Sequence, residues 1–224
     1  MPVANGDDHP SRSLSAQLRE QRWELVAAEI ESAALRLFRE RGFANVTVEV
    51  IASEVGVSPR TFYRYFPTKE DVLLLLIDRR TRSLHDALGN RPNDEAPLSS
   101  LRLAIEEVFT AEDEAVVRCW TDVVSNTPSV LRSVIGGIQL KCHQLFAAYF
   151  ANCLGQTVEA LVPTMLAAAV GGVIQASHIH WYVHGGDLAS TVSEGLRVLE
   201  HGFGGDLRSW TSEGLVPDWP CDQR

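Results

Sequence analysis

The sequence predicts an all-α protein, and three observations support that class. Apolar residues recur at i, i+3, i+4 and i+7 through most of the chain, which is the spacing of a helix with one buried face. Glycine, proline and capping residues stand at the ends of these periodic segments. No segment shows the apolar–polar alternation typical of a half-buried β-strand, and no internal repeat is evident.

The first helix is predicted from about Leu18 to Arg41. Residues at helical spacing form its apolar stripe: Trp23, Val26, Ala27, Ile30, Ala33, Ala34, Leu37 and Phe38. Arg39, Arg41 and the following Gly42 are the usual signal for the C-terminal end of a helix. Residues 1–16 are rich in Ser, Asp and Pro and are expected to form a disordered arm.

Two short helices follow, separated by a sharp turn. Thr47 is placed to cap the first of them. The residues expected to be buried on that helix are Val48, Ile51, Ala52 and Val55. Gly56 suits the left-handed backbone that such a turn requires. Ser58 and Pro59 are a typical N-cap and first residue for the second helix, which is predicted to reach Phe66.

A second region begins after Pro67. Thr68 and Asp71 have the spacing of a capping box, and the helix that they start is predicted to continue to Leu88. The Pro- and Asn-containing segment 89–97 is the clearest break in the chain. Beyond it, helices are predicted near 98–111, 114–126, 128–154, 163–184 and 187–203. The predicted division is a 1–16 arm, a 17–68 helix-turn-helix domain, a 69–203 helical domain and an irregular 204–224 tail.

Composition and charge place the chain among globular proteins. It has 224 residues, of which 45% are hydrophobic and 22% charged, and its formal net charge is −9. The acidity is uneven, because residues 17–80 carry equal numbers of basic and acidic side chains whereas residues 81–224 are strongly acidic. Since local basic clusters decide whether phosphates are bound, the net charge does not exclude a nucleic-acid partner.

Compartment and membrane association follow from three further features. The segment 160–186 has no Asp, Glu, Lys or Arg and is long enough to cross a bilayer. Its polar side chains and paired glycines favour a buried helix of a soluble core instead. The N-terminus lacks the basic and apolar regions of a signal peptide. The four cysteines form no C-x-x-C pair, so neither a disulfide scaffold nor a structural zinc site is indicated, and a cytoplasmic location without membrane contact is expected.

Residues 47–66 have the arrangement of a helix-turn-helix. With Val57, Phe62 and Phe66 facing the core, the second helix presents a polar and aromatic outer face. The residues predicted to point outward are Ser58, Pro59, Arg60, Thr61, Tyr63, Arg64 and Tyr65. Arginine, tyrosine and hydroxyl side chains are the donors that proteins use for phosphates and base edges. This surface therefore predicts binding to double-stranded DNA, and a small helical bundle without DNA affinity is the plainer alternative.

The string TVEVIASEVGVSPRTFYRYFPTKEDVL, with Leu37-Phe38 and Gly42-Phe43 before it, resembles the DNA-binding domain of the TetR family of bacterial transcriptional regulators. The resemblance covers about residues 17–75. It implies a homodimer on a palindromic operator, with helix 59–66 in the major groove. Phosphate contacts are implied for Thr47, Thr61, Tyr63 and Lys69. Base-edge or nearby backbone contacts are implied for Ser58, Pro59, Arg60 and Tyr65. Glu49 stands where some members have a basic or polar residue.

The C-terminal region resembles a narrower group. Ala167–Gly172, Trp181 and the segment 185–188, taken with SPRTFYRYFPTKEDVL, are similar to mycofactocin-type regulators with an acyl-CoA-like ligand domain. This implies a repressor released by a fatty acyl thioester or another small hydrophobic effector. Residues 98–203 contain no arginine cluster suited to the phosphates of coenzyme A. The family also implies a dimer interface formed by helices 163–184 and 187–203, although the same helices could pack within one subunit.

Polar and aromatic residues among apolar helices are candidates for an effector pocket. They are Trp120, Gln139, His143, Phe146, Met165 and His178. A single histidine or tryptophan on such a helix is more often a packed core residue than a ligand contact. We therefore treat them as a group.

A metal sensor, an enzyme and an interaction scaffold are the alternative functions. His180 and His184 are one helical turn apart, with His178 and Cys142 as further ligands, so a metal sensor of the same fold is an alternative, although a local carboxylate is missing. An enzyme is not expected, because G-x-S-x-G, P-loop, G-x-G-x-x-G and H-E-x-x-H motifs are all missing. The adjacent carboxylates Glu106 and Glu107 are typical of a solvated helix face. No catalytic residue, metal ligand or cofactor is assigned, and a pure interaction scaffold would leave the outward arginines and tyrosines unexplained.

Overall fold

The computed structural model describes residues 14–92 and 94–202. Within these residues the chain forms α-helices and short 3-10 helices and contains no β-strand, which confirms the all-α class. The α-helices are α1 Leu14–Arg41, α2 Val48–Glu54, α3 Pro59–Tyr65, α4 Leu75–Gly89, α5 Pro97–Thr110, α6 Glu114–Ser125, α7 Pro128–Leu154, α8 Leu161–His184 and α9 Leu188–His201. Phe43–Asn45 and Glu70–Leu74 are 3-10 helices.

The predicted helices are present, with two corrections at their ends. α1 begins at Leu14, inside the region predicted to be a disordered arm. The sequence does not reveal this start, because the side chains described in the first turns are mostly exposed and show no apolar periodicity. The capping box after Pro67 is formed, with the Thr68 backbone N–H donating to Asp71 over 2.8 Å, but it starts a 3-10 turn that precedes α4. Most of the predicted arm and the tail from Gly204 lie outside the described residues.

The chain divides into two compact units at positions other than those predicted. Of the described residues, the first unit contains 14–77 together with Ala115–Ile135, and the second contains Asp78–Glu114 and 136–202. The prediction instead places a domain boundary after residue 68 and groups α6 with the helices that follow it. Packing accounts for the difference, since Trp120 on α6 is only 5% exposed and bonds to the backbone of the first unit.

The core of the first unit is built around large apolar side chains that are wholly buried. They are Ile30, Leu37, Ile51, Phe62 and Leu73. Burying a side chain of this size contributes about 1.5–3 kcal/mol. The ring of Phe38 packs against that of Phe43 with their centroids 4.6 Å apart, which holds the end of α1 against the 3-10 turn that follows it. Helices α1, α2 and α3 are thereby fixed as one body.

In the second unit, α9 packs against both α5 and α8. Its approach to α8 is close, because a Cβ atom added at Gly195 would lie 2.7 Å from Ser177 Oγ and 2.8 Å from Val173 Cγ1. On the α5 side, the guanidinium of Arg102 donates to Glu200 over 3.1 Å. The bond between Arg102 and Glu200 thus joins α9 to α5, and the absence of a side chain at Gly195 lets α9 approach α8 closely.

α8 is apolar on two opposite faces, of which one is buried. The buried stripe consists of Pro163, Ala167, Val170, Ser177 and Trp181. The exposed stripe consists of Leu161, Met165, Ala168, Gly172, Ala176, Ile179 and Val183. The helix is long and apolar enough to cross a membrane by length and composition, but only 22% of its most apolar 18-residue window is buried. Within residues 14–92 and 94–202, α8 therefore buries one stripe and leaves the opposite stripe exposed, whereas the sequence predicted a buried core helix.

Candidate nucleic-acid interface

The turn between α2 and α3 has the predicted helix-turn-helix geometry. The Thr47 hydroxyl accepts a hydrogen bond from the backbone N–H of Val50, over 3.4 Å, and caps α2. Gly56 adopts a positive φ of 70°, a conformation in which a side chain would be strained. The Val57 N–H then donates to the carbonyl of Ala52 over 2.9 Å. The chain is thereby turned so that α3 starts immediately beside the end of α2.

α3 is anchored from one side and capped at its start. Phe62 is fully buried and Phe66 is 4% exposed, so these rings hold the helix to the core. The Ser58 hydroxyl accepts from the Thr61 N–H over 3.1 Å and lies 3.0 Å from the Thr61 hydroxyl. Pro59 follows as the first helical residue, as predicted. The helix is short, but both its start and its inner face are fixed by side-chain contacts.

The opposite face of α3 is open to solvent. Ser58, Pro59, Arg60, Tyr63 and Arg64 are exposed, and Thr61 and Tyr65 are half-exposed. All seven residues predicted to point outward therefore lie on an accessible surface. Because two of them carry guanidinium groups and four carry hydroxyl groups, the face is rich in donors for phosphate oxygens and base edges.

Tyr65 has a partner outside the helix-turn-helix. Its ring stacks on that of Trp23 in α1, with a centroid distance of 5.4 Å and an interplanar angle of 30°. The guanidinium carbon of Arg64 lies 5.3 Å from the centroid of the same tyrosine ring. Trp23 was expected only as a member of the apolar stripe of α1, and nothing in the sequence pairs it with α3. The structure therefore adds α1 to the surface around the end of α3.

Lys69, which the sequence predicts to bind a phosphate, has partners within the protein. Its ammonium donates to the carbonyl of Phe43 over 2.8 Å and to that of Val46 over 3.0 Å. It also lies 4.2 Å from the centroid of the Phe43 ring. A lysine has three N–H donors, so one is left by these two bonds. Any phosphate contact by Lys69 would be made by a side chain whose position is already fixed.

Negative charge is placed at the start of α2. Glu49 lies in the first turn of α2, and hydrogen bonds from its own backbone N–H and from the Thr47 hydroxyl hold the pKa of its carboxyl below the ordinary value. Such a carboxylate satisfies the positive end of the helix that would otherwise attract a phosphate. At the other end of α2, Glu54 forms an ion pair with Arg36 of α1.

The six predicted effector residues differ in burial and in the unit to which they belong. Trp120 lies in the first unit, where its indole bonds to a backbone carbonyl. Met165 is 59% exposed on the outer stripe of α8, and Gln139 is exposed and bonded to Gln175 over 3.3 Å, so neither lines an enclosed pocket in the single chain. Phe146 is buried and His143 is half-exposed.

His178 is half-buried on α8. Its ring lies 5.4 Å from that of Trp181, in an edge-on arrangement. Burial, together with the smaller effect of the charge of Arg80, lowers the pKa of His178 to about 4. Arg80 itself forms a two-bond pair with Glu112, at 2.6 Å for each bond. His178 is thus a neutral imidazole at pH 7, able to donate from one nitrogen and accept at the other.

The histidine pair that suggested a metal sensor is present on the surface of α8. The rings of His180 and His184 have their centroids 4.5 Å apart. In the described part of the chain, no group of three or more His, Cys, Asp or Glu residues could hold a metal ion. The metal-sensor alternative therefore gains no third ligand from residues 14–92 and 94–202.

Comparison with known proteins matches two regions of the chain to domains of bacterial regulatory proteins. Residues 30–76 match the family of bacterial regulatory proteins of the tetR type, and residues 95–204 match the MftR C-terminal domain. The chain is 33% identical to the HTH-type transcriptional regulator TcmR of Streptomyces glaucescens over 122 residues, which are 51% of this chain and 54% of that protein. The chain thus spans about half the length of this relative.

A second relative is covered more fully. An uncharacterized HTH-type transcriptional regulator of Mycobacterium tuberculosis is 40% identical over 143 residues, covering 62% of this chain and 67% of that protein. Among solved structures, Thermus thermophilus FadR, a TetR-family transcriptional repressor in complex with lauroyl-CoA, superposes with a TM-score of 0.52. That match has 23% identity and covers 85% of this chain and 98% of FadR, so it shows the fold.

Proposed function

The chain belongs to the TetR family of bacterial transcriptional regulators, and we propose that it is a dimeric repressor that leaves a palindromic operator when a small hydrophobic effector binds. The observation that carries the DNA-binding part is the outer face of α3. Arg60, Tyr63 and Arg64 are exposed there, while Phe62 anchors the inner face. A rigid helix with donors on one side is the element that enters a major groove.

Within this face the residues divide into two roles. Arg60 lies in the first turn of α3, and the N-terminal residues of a recognition helix contact base edges. Ser58 and Pro59 stand beside it, and Tyr65 lies at the other end. The remaining residues bind backbone phosphates, and these contacts position the protein on the DNA without reading its sequence. They are Thr47, Thr61, Tyr63, Arg64 and Lys69.

Dimerisation is the second part of the proposal, and a second copy of this chain is the occupant proposed for the exposed stripe of α8. The stripe runs from Leu161 to Val183 without a charged residue, and isolated chains seldom leave such a stripe uncovered. Ala168, Gly172 and Ala176 are one turn apart along it and allow two helices to approach closely. Two α3 helices held one DNA turn apart, about 34–36 Å, would match a palindromic site.

The effector is proposed to be a fatty acyl thioester, bound in the second unit. Support comes from the match of residues 95–204 to the MftR C-terminal domain and from the lauroyl-CoA held by the structurally similar FadR. Among the candidate residues of this unit, buried Phe146 suits an acyl chain, and neutral His178 suits a thioester carbonyl better than a phosphate. An effector that prefers one conformation of the second unit shifts the population away from the DNA-binding form.

The test joins DNA binding and effector release in one assay. The purified chain is used to select duplexes from a random-core library, and the affinity for the selected duplex is measured by fluorescence anisotropy with and without lauroyl-CoA. A palindromic consensus, a dimer in native mass spectrometry and weaker binding with lauroyl-CoA are expected. Failure to enrich any duplex would overturn the DNA-binding proposal. Enrichment with no response to lauroyl-CoA or other acyl-CoA thioesters would overturn the effector part only.

A further inference from the structure

The first turns of α1 extend beyond the core of the first unit. Among the side chains described from Ser15 to Leu25, Ala16 is half-exposed and all the others are exposed, and the first buried residue of the helix is Ala27. We call residues 14–26 the α1 extension. A helix of this length without a buried face is seldom stable by itself, so its position depends on what it contacts.

One contact fixes where the α1 extension lies. Trp23 stacks on Tyr65 at the C-terminal end of α3, with the ring centroids 5.4 Å apart. Aromatic pairs in this arrangement contribute about 0.5–1.5 kcal/mol beyond the area that they bury. The extension is therefore placed next to the helix that carries the predicted DNA surface, at the end opposite Arg60.

Arg19 continues the face of α1 on which Trp23 lies. Four residues separate them, so the two side chains differ by about 40° around the helix and about 6 Å along it. The Nε–H of Arg19 donates to the carbonyl of Ser15 in the preceding turn, over 3.2 Å, which leaves the two terminal NH2 groups of the guanidinium outside that bond. Further along the helix, this same face packs on the core through Ala27 and Ile30.

The charge of the α1 extension is therefore arranged by face. Arg22 is about 100° from Trp23 and points to another side of the helix, and Glu20 lies about 60° away on the opposite flank from Arg19. The extension is not a basic patch, since its two arginines are balanced by Glu20 and Glu24. Only Arg19 presents a positive charge on the face that continues the Trp23–Tyr65 stack.

We propose that the α1 extension is a second DNA contact, in which Arg19 binds a backbone phosphate flanking the base pairs read by α3. The proposal rests on the proposed function, because it extends the same DNA surface. The face of α1 that carries Arg19 continues to Trp23 and its stack on Tyr65, and the positive guanidinium attracts a phosphate. One phosphate contact carries no sequence information, so the extension would lengthen the bound site without changing the base preference.

The experiment compares Arg19→Ala with Arg22→Ala, which removes the same charge from another face of the same helical turn. Affinity for the duplex selected by the wild-type chain is measured over a series of salt concentrations. For Arg19→Ala, the slope of log affinity against log salt is expected to be shallower by about 0.9 unit. Arg22→Ala and Arg19→Lys are expected to keep the wild-type slope. Because these side chains are exposed, circular dichroism should show all three variants folded.

A second measurement locates the contact on the DNA. The selected duplex is shortened from both ends, one base pair at a time. The wild-type chain should lose affinity at the step that removes the flanking phosphate, and Arg19→Ala should show no loss at that step. Equal slopes for Arg19→Ala and wild type, or equal changes for Arg19→Ala and Arg22→Ala, would overturn the inference. A wild-type chain that selects no duplex would instead overturn the proposed function.

Discussion

The indole N–H of Trp120 donates to the carbonyl of Leu73 over 2.7 Å, joining residues 47 positions apart in the sequence. This bond, with the Cys119 thiol 3.6 Å from the carbonyl of Leu35, ties α6 to the helices of the first unit. The unit that carries the helix-turn-helix is therefore completed by a segment from the middle of the chain. A fragment ending at residue 77 would lack this part of its core.

Replacing Trp120 with Phe should destabilise the protein. The change leaves the carbonyl of Leu73 buried without its donor and removes part of a ring that is 5% exposed, so a loss of about 2–4 kcal/mol in the free energy of unfolding is expected. Urea denaturation followed by circular dichroism measures it. Tyr63→Phe, which alters a ring that is 51% exposed, serves as the control and should change stability little. A Trp120→Phe variant as stable as wild type would contradict the packing described here.

Lys69→Met should affect stability as well as DNA binding. The ammonium bonds to the carbonyls of Phe43 and Val46, and losing bonds from a charged donor costs about 1.5–3 kcal/mol each before relaxation. If the remaining donor binds a phosphate, the salt slope of DNA binding should also become shallower by about 0.9 unit. Denaturation and salt titration are run on the same preparation. Reduced stability with an unchanged slope would limit Lys69 to its structural contacts.

Arg60→Ala should relax specificity at one position of the operator half-site. The side chain is exposed in the first turn of α3, where an arginine can make a two-bond contact to guanine. A loss of about 1–3 kcal/mol on the selected duplex is expected, with little change on random DNA. A set of duplexes with each position substituted in turn would locate the affected base pair. Equal losses on selected and random duplexes would reassign Arg60 to a phosphate contact.

Gly195→Ala should destabilise the packing of α8 against α9. The added methyl group would lie under 3 Å from Ser177 Oγ and Val173 Cγ1, within a helix pair that has no room at this point. Overpacking costs about 1–3 kcal/mol, against which alanine returns about 1 kcal/mol of helix propensity. Gly136→Ala in α7 is the matched control, because its Cβ would meet nothing within 4 Å, and it should raise the melting temperature. If both substitutions stabilise the protein, the two helices are less closely packed than described.

Stability should fall in mild acid because of His178. Its pKa is about 4 in the folded protein, against an ordinary value of 6.5, so between these values the unfolded chain binds more protons. The favourable contribution is fully present above pH 6.5 and declines by about 1.4 kcal/mol per pH unit as the pH falls toward 4. His178→Gln should flatten this part of the stability profile, whereas His201→Gln, at an exposed position, should not. Parallel profiles for His178→Gln and wild type would contradict the assignment.

The local features of the DNA-binding region could be predicted from sequence because each depends on a few adjacent residues. Thr47, Gly56 and Ser58 specify a cap, a turn and a second cap by their own chemistry, and all three adopt the expected geometry. Contacts between distant segments could not be predicted in this way. The Trp23–Tyr65 stack and the Trp120–Leu73 bond join positions that have no periodic relation in the chain.

The effector residues were less predictable for a related reason. Burial of Met165, Gln139 and Trp120 depends on which face of each helix meets a neighbour, and a helix that is apolar on two faces gives no signal for choosing between them. α8 is such a helix, and Met165 lies on its uncovered side. By contrast, the ends of α5, α6 and α7 follow from prolines and polar residues near them, and the predicted bounds agree within one residue.

The uncharged outer stripe of α8 affects how this protein would choose between a second copy of itself and a related protein as its dimer partner. Proteins that sort partners by charge place repulsive pairs along the interface, and the stripe between Leu161 and Val183 has no group that could repel a wrong partner. In the dimer proposed above, discrimination would depend on shape at Ala168, Gly172 and Ala176, where one larger side chain on either helix would hold the two backbones apart. A single substitution at these positions could isolate a duplicated gene product from its parent, before either protein acquired a new operator.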